Sequence, residues 1–209
     1  MRLYDCSTAP SPRRVRIFAA EKNLSIEMVQ VDLGSGEQFS EQFKAVNPEC
    51  VVPALELDDG THLTEVIAIC QYLEEVQPEP SLFGASPKER AVTTMWNTKA
   101  EMQFLWAVAE SYRNFSKGLQ GHALPGPAKY EQIPELVDRG RRRVAEFMQK
   151  MNGRLAENEF LCGERFTIAD ITALVAVDFA ARIKIDVEDS AVNLQRWYSD
   201  VAARPSASA

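Results

Sequence analysis

Between Asn47 and Leu73 the chain reads NPECVVPALELDDGTHLTEVIAICQYL, and this stretch limits the possible folds more than any other. VVPALEL is β-branched and apolar, yet it contains a proline, which cannot donate to a sheet ladder. Asp58, Asp59 and Gly60 then supply a hairpin turn. A short second strand follows around Thr61 to Leu63. Thr64 is placed to cap a helix whose apolar positions Ile67, Ala68, Cys70 and Leu73 recur at helical spacing. A proline just ahead of a strand predicts a cis Val52–Pro53 bond that turns the preceding backbone outward. Extended backbone facing a helix N-terminus can hold a peptide-like anion.

The segments before this stretch complete one small unit. Arg2 to Tyr4 reads as a strand, CSTAPSP as a loop, and RRVRIFAAEKN after Pro12 as a helix ended by Asn23. Ile26 to Leu33 alternates like a strand, and a short helix is expected from Ser40 until Asn47-Pro48 stops it. The order β-α-β-α-β-β-α predicts a mixed four-stranded sheet with helices on its faces.

The character then changes. QPEPSLFGASP, residues 77 to 87, holds three prolines and a glycine and reads as a linker. Beyond it only helical patterns appear. Lys88 to Lys117 is one long, kinked pattern, and Ile133 to Glu157 is a second. A capping box, TIAD from Thr167, opens a third that is apolar nearly all round and therefore buried. Asn193 to Ala203 is the last, with RPSASA as a fraying tail. The expected division is 1–78 as an α/β domain, 79–87 as linker and 88–209 as an all-α domain.

Charge narrows the partners. Residues 1–80 carry six Lys+Arg against fourteen Asp+Glu, a net −8. The remainder carries seventeen against sixteen, which leaves −7 for the 209-residue chain. An acidic first domain disfavours nucleic acid and anionic membrane as partners. Arg139, Arg141, Arg142 and Arg143 read as a solvated helix face. No apolar run approaches the roughly 20 residues of a membrane span, and Arg2 and Asp5 interrupt any leader-like opening. The cytoplasm is the expected compartment. The four cysteines and two histidines show no metal-ligand spacing, so no metal is expected. Cys70 and Cys162 sit in apolar patterns and are expected in the core.

NPxxxVPAL, then TE, AI and YL, together with GERFTIADI at 163–171 and the closing RWYSDVAARPS, resemble the cytosolic glutathione transferase family over nearly the whole chain. The resemblance implies a thioredoxin-like N-terminal domain that binds glutathione. It also implies an all-α helical bundle that completes an apolar pocket for an electrophile, and a homodimer. Residue by residue, it implies that Val52, before Pro53, pairs with the cysteinyl part of glutathione. Glu65 would take the γ-glutamyl end, and Gln38 falls near the position that contacts the glycyl carboxylate. A carboxylate suits the α-ammonium group, and helix N–H groups suit the α-carboxylate.

Two positions depart from the family pattern. Val66 stands where serine usually follows the glutamate, which removes a hydroxyl worth on the order of 1 kcal/mol. Ala9 stands where related classes carry a catalytic serine or cysteine. Ser7, Thr8 and Ser11 are the substitutes at hand, and Ser11 at the helix start is the candidate for stabilising a thiolate. Read blandly, Ser11 is an ordinary helix cap. Cys6 reads as a half-buried thiol, or as a partner in a mixed disulfide with glutathione. Trp96, Phe104, Trp106 and Tyr112 read either as an electrophile pocket or as packing. His122 in its Gly/Pro loop, and His62, receive no role. Two functions follow: a transferase directing the glutathione thiol at a small apolar electrophile or a disulfide, or a non-catalytic binding or regulatory relative.

Overall fold

The computed structural model describes residues 1–209, which divide into two compact units. Met1–Pro80 forms the first, joined by Leu124–Lys129, and the helical remainder forms the second.

The first unit is built on strands β1 (Arg2–Asp5), β2 (Glu27–Gln30), β3 (Ala54–Glu56) and β4 (His62–Thr64), in sheet order β2-β1-β3-β4. β1 and β2 run parallel, and the other pairings are antiparallel. Helices α1 (Pro10–Glu21), α2 (Glu41–Val46) and α3 (Val66–Val76) cover its faces. Side chains alternate along β1. Leu3 is fully buried on the side where Asp5 meets Arg16 of α1, while the Tyr4 ring meets Phe43 of α2 edge-on at 6.0 Å. The core of α1 and α3 is Val15, Ile17, Phe18, Ile69 and Leu73, all fully buried. The expected β-α-β-α-β-β-α order is present. Strand β2 is shorter than the Ile26–Leu33 alternation, because this edge strand pairs only with β1 over four residues.

The chain leaves this unit past a buried lysine. Lys22 donates to the carbonyls of Pro78 and Pro80 at 3.1 and 2.6 Å and pairs with Glu74, which engages all three ammonium protons.

The second unit holds α4 (Pro87–Lys99), α5 (Trp106–Phe115), α6 (Glu135–Leu155), α7 (Ile168–Ala180) and α8 (Val192–Ala202). The kink expected in Lys88–Lys117 is a π-helical turn, Ala100–Leu105, between α4 and α5. Arg143 of α6 donates to the Met102 carbonyl at 2.8 Å, and Phe104 stacks on Phe147 with centroids 5.4 Å apart. The arginine cluster is therefore more than a solvated face, since Arg139 also grips Glu110 through two bonds of 3.1 and 2.6 Å. Helix α7 is buried along nearly its whole length, and its capping box is formed by Thr167 and Asp170. The C-terminal residues do not fray. Pro205–Ser208 makes a 3₁₀ turn with Ser206 and Ala207 buried, and the Arg204 guanidinium lies 4.2 Å from the Phe166 ring centroid. Cys70 is fully buried as expected, whereas Cys162 is half-buried.

Candidate functional site

The sheet register gathers the residues of interest in the first unit. Ala54 is flanked by Tyr4 on one side and Thr64 on the other. Continuing one and two residues beyond the Tyr4–Ala54 pair brings Pro53 level with Asp5 and Val52 level with Cys6. Glu65 follows Thr64 directly. Three loops thus converge at one end of the central strands: Cys6–Ser11, the Val52–Pro53 loop and the Glu65–Val66 corner.

Each loop is held by a different device. The Val52–Pro53 bond is cis, as its sequence context predicts. Asn47, 1% exposed, ties down the residues before it. Its Nδ2 donates to the Val51 carbonyl at 2.8 Å, its Oδ1 accepts from Glu49 N–H at 3.0 Å, and its own carbonyl accepts from Cys50 N–H. Cys50 reaches φ 57° to make this turn. Asn47 looks like a helix stop in the sequence, and the structure makes it the brace of the loop.

The Cys6–Ser11 loop is fixed by a buried acid. Asp5, 1% exposed, accepts from Arg16 and from Gln30. Those two side chains also take both backbone groups of Ser7: Gln30 Oε1 accepts its N–H at 3.0 Å, and Arg16 Nη2 donates to its carbonyl at 3.2 Å. The one sequence signal for this set was an aspartate ending an otherwise packed strand. A charge in such a place needs a partner.

Helix α1 starts two residues earlier than the sequence suggested. Ala9 is the N-cap and Pro10 the first helical residue, so Ser11 lies inside the first turn and is not the cap. Pro10 is preorganised for that position, which moves the start upstream. Since prolines at 10 and 12 have no N–H, Ser11 is the only one of the first three helical residues with a peptide donor. Its side chain is half-buried. Cys6 is half-buried too, its sulfur 3.5 Å from the Thr8 hydroxyl.

At the third loop the N-cap of α3 is Glu65 rather than Thr64, at φ 65° and ψ 123°. This is an unusual conformation for a residue with a Cβ. Its carboxylate makes no cap hydrogen bond to its own helix and is exposed, leaving Val66, Ile67 and Ala68 to present peptide N–H groups at the helix start. Val66 itself is buried, its side chain turned into the core. Gln38 lies in a 3₁₀ turn, Glu37–Phe39, where its Oε1 is buried without a hydrogen-bond partner in the chain.

The helical unit separates its aromatic candidates. Trp96 is 7% exposed, its ring covered by Lys99 and Arg154, and Phe104 is fully buried. Both serve packing. Trp106 is 42% exposed. Tyr112 meets Phe179 edge-on at 5.3 Å and lines an open concavity with Phe115, Ser116, Lys117 and Arg182. The His122 carbonyl anchors a loop by accepting from Arg113 at 2.6 Å. Nowhere do three or more His, Cys, Asp or Glu side chains group to hold a metal ion. Burial raises the Cys162 thiol to about 11, against hydrogen bonds that act the other way, so at neutral pH it stays protonated and unreactive.

This fold and loop arrangement match known proteins along the whole chain. Residues 8–76 match the glutathione S-transferase N-terminal domain, and residues 98–205 match the C-terminal domain. The chain belongs to the glutathione S-transferase family. Glutathione S-transferase 2 of Saccharomyces cerevisiae is 35% identical over 209 residues, covering 99% of this chain and 87% of the yeast protein. A glutathione S-transferase domain-containing protein of Marinobacter aquaeolei VT8 superposes with a TM-score of 0.90 at 42% identity, covering 99% of both chains. Gtt2 from Saccharomyces cerevisiae also reaches 0.90, at 35% identity, covering 99% of this chain and 98% of that one. The four-stranded unit of this family member is thus its thioredoxin-like domain, and the helical unit its C-terminal domain.

Proposed function

We propose that the protein is a glutathione transferase whose residues 1–78 bind glutathione and whose residues 88–209, beyond the 79–87 linker, receive a small electrophile or disulfide. The observation that carries this reading is the convergence of three loops around the Tyr4–Ala54–Thr64 register. The γ-glutamyl and cysteinyl parts of the tripeptide have counterparts there. Val52 offers backbone to the cysteinyl residue. Glu65 faces the γ-glutamyl ammonium, and the N–H groups from Val66 onward face its carboxylate. The Gln38 side-chain NH₂ is the donor assigned to the glycyl carboxylate.

The chemistry required is modest. The thiol proton leaves to solvent, the sulfur attacks carbon or sulfur of the electrophile, and the leaving group departs with its electron pair. Lowering a thiol pKa by about two units is worth roughly 2.7 kcal/mol at the attacking sulfur. The Ser11 N–H and hydroxyl, in the first turn of α1, supply donors of the right kind. Three exposed apolar side chains, Met95, Met102 and Trp106, spaced along α4, the π turn and α5, support a homodimer. Four free cysteines suit a reducing cytoplasm. No helix is long and apolar enough to cross a membrane.

Calorimetric titration with glutathione, followed by ultraviolet detection of thiolate near pH 7, tests the proposal. Binding with an enlarged thiolate fraction is expected, with binding lost in Glu65→Ala. In Ser11→Ala the thiolate fraction should fall while binding is retained. No binding at millimolar glutathione would defeat the reading.

A further inference from the structure

The connection between α5 and α6 does not all fold with the helices it joins. Leu124–Lys129, with the sequence LPGPAK, packs as part of the first unit. The residues on either side of it are pinned together. Ala123 N–H donates to the Tyr130 carbonyl at 3.0 Å, and Tyr130 N–H to the Gly121 carbonyl at 2.9 Å. Gly126 adopts φ 104°, a conformation that favours glycine. A Cβ built there would lie 3.5 Å from the Glu49 carbonyl oxygen. The segment therefore rests on the loop that Asn47 braces, three residues ahead of Val52.

The cations of the first unit give this segment a role. Arg2 pairs with Glu56, Arg16 with Asp5, Lys22 with Glu74 and Lys44 with Glu41. The terminal ammonium meets Asp58, and Arg13 and Arg14 of α1 are engaged as well. Lys129 is different. It is exposed, makes no hydrogen bond or ion pair, and is the one cation of the unit left for a ligand. From Gly126 to Lys129 the chain spans at most about 10 Å. The long, flexible lysine stem adds to that reach.

Glutathione lacks such a charge in the site described above. At neutral pH it carries two carboxylates and one ammonium. Glu65 and the first N–H groups of α3 answer the γ-glutamyl pair, whereas the glycyl carboxylate has only the neutral amide of Gln38. Residues 1–80 carry a net −8, a field that disfavours an anion with no cationic partner. We propose that Lys129 is the cationic contact for the glycyl carboxylate. The Leu124–Lys129 segment then makes a free glycyl carboxylate part of what the protein selects in its thiol substrate. The assignment rests on the glutathione-binding reading above and adds to it a residue from outside residues 1–78.

Glutathione and its glycyl ethyl ester, titrated by calorimetry, separate the two claims. The unmodified protein should bind glutathione more tightly than the ester. Lys129→Gln should lower glutathione affinity about three- to fivefold, the scale of one solvent-screened charge pair. Ester affinity should stay unchanged, which also shows that the variant is folded. Lys129→Glu should lower glutathione affinity further, again with ester affinity held. Equal binding of glutathione and ester by the unmodified protein overturns the assignment. So does a preference for glutathione that survives both substitutions, or a loss that is equal for the two ligands; in these cases glutathione binding itself stands. No binding of either ligand at millimolar concentration defeats the transferase reading and this assignment with it.

Discussion

Gln30 holds Ser7 against the end of β1: its amide oxygen accepts the Ser7 N–H at 3.0 Å while its Nε2 donates to the Asp5 carboxylate. The loop that leads to Ser11 therefore takes its position from a strand that is its neighbour in space and distant in sequence. Gln30→Leu should cost about 1–3 kcal/mol in urea unfolding, since it removes a donor from a buried carboxylate. Displacement of the loop should also lower glutathione conjugation by about tenfold, with little change in glutathione affinity. Unchanged conjugation would show that Arg16 alone suffices to hold the loop.

Much of this arrangement can be read from local sequence. The cis proline, the hairpin turn, the capping box at Thr167 and the order of elements all depend on neighbours within a few residues. What is hidden depends on distance or phase. Asp5 meets Arg16 and Gln30 from 11 and 25 residues away, and no local pattern announces a shared buried acid. The start of α1 turns on which of two prolines lies first in the helix, and the start of α3 turns on Glu65 adopting a positive φ. In Lys88–Lys117 the π turn inserts an irregular period, so a constant 3.6-residue spacing cannot tell buried Phe104 from exposed Trp106.

Lys22 is a buried cation whose three protons are all committed, to Pro78, Pro80 and Glu74. Removing one member of a buried charge pair is far costlier than never having built it. Lys22→Met should lower stability by roughly 3–5 kcal/mol. Proteolysis is also expected to cut first near residues 77–80, since their carbonyl anchors are gone. Protection equal to that of the unmodified protein would show that the neighbouring packing holds this segment without the lysine.

Gly140 marks a close approach of α6 to α5. A Cβ there would lie 2.7 Å from the Ala107 carbonyl oxygen and 2.9 Å from Ser111 Cβ, and backbone cannot swing aside as a side chain can. Alanine gains about 1 kcal/mol in helix propensity, against an overpacking cost of about 1–3 kcal/mol. Gly140→Ala should therefore be net destabilising, with a lower thermal midpoint. Ser111→Ala at the same contact is expected to be neutral or stabilising, because the Ser111 hydroxyl is buried without a partner in the chain. The two variants moving in the same direction would assign the contact's sensitivity to α5 itself.

Asp170 sits at the centre of the helical unit, fully buried. Oδ1 accepts from Leu161 N–H and Trp197 Nε1–H, and Oδ2 from Thr167 N–H and Thr167 O–H, all at 3.0 Å. These donors favour the charged form, but burial outweighs them and raises the carboxyl to about 6. The sign follows from proton counts. Between about pH 4 and 6 the folded state keeps a proton that the unfolded state has lost, so raising pH through this window weakens folding. This contribution is fully present below about pH 4 and gone above the folded pKa. Asp170→Asn cannot titrate there, and it also turns an NH₂ group toward donors, so it is less stable at every pH. The stability difference between the two proteins, from urea unfolding at each pH, should shrink by roughly 2–3 kcal/mol from pH 4 to 7 and then stay level. A difference that instead grew with pH would mean that the four donors prevail over burial and hold the carboxylate below its ordinary range.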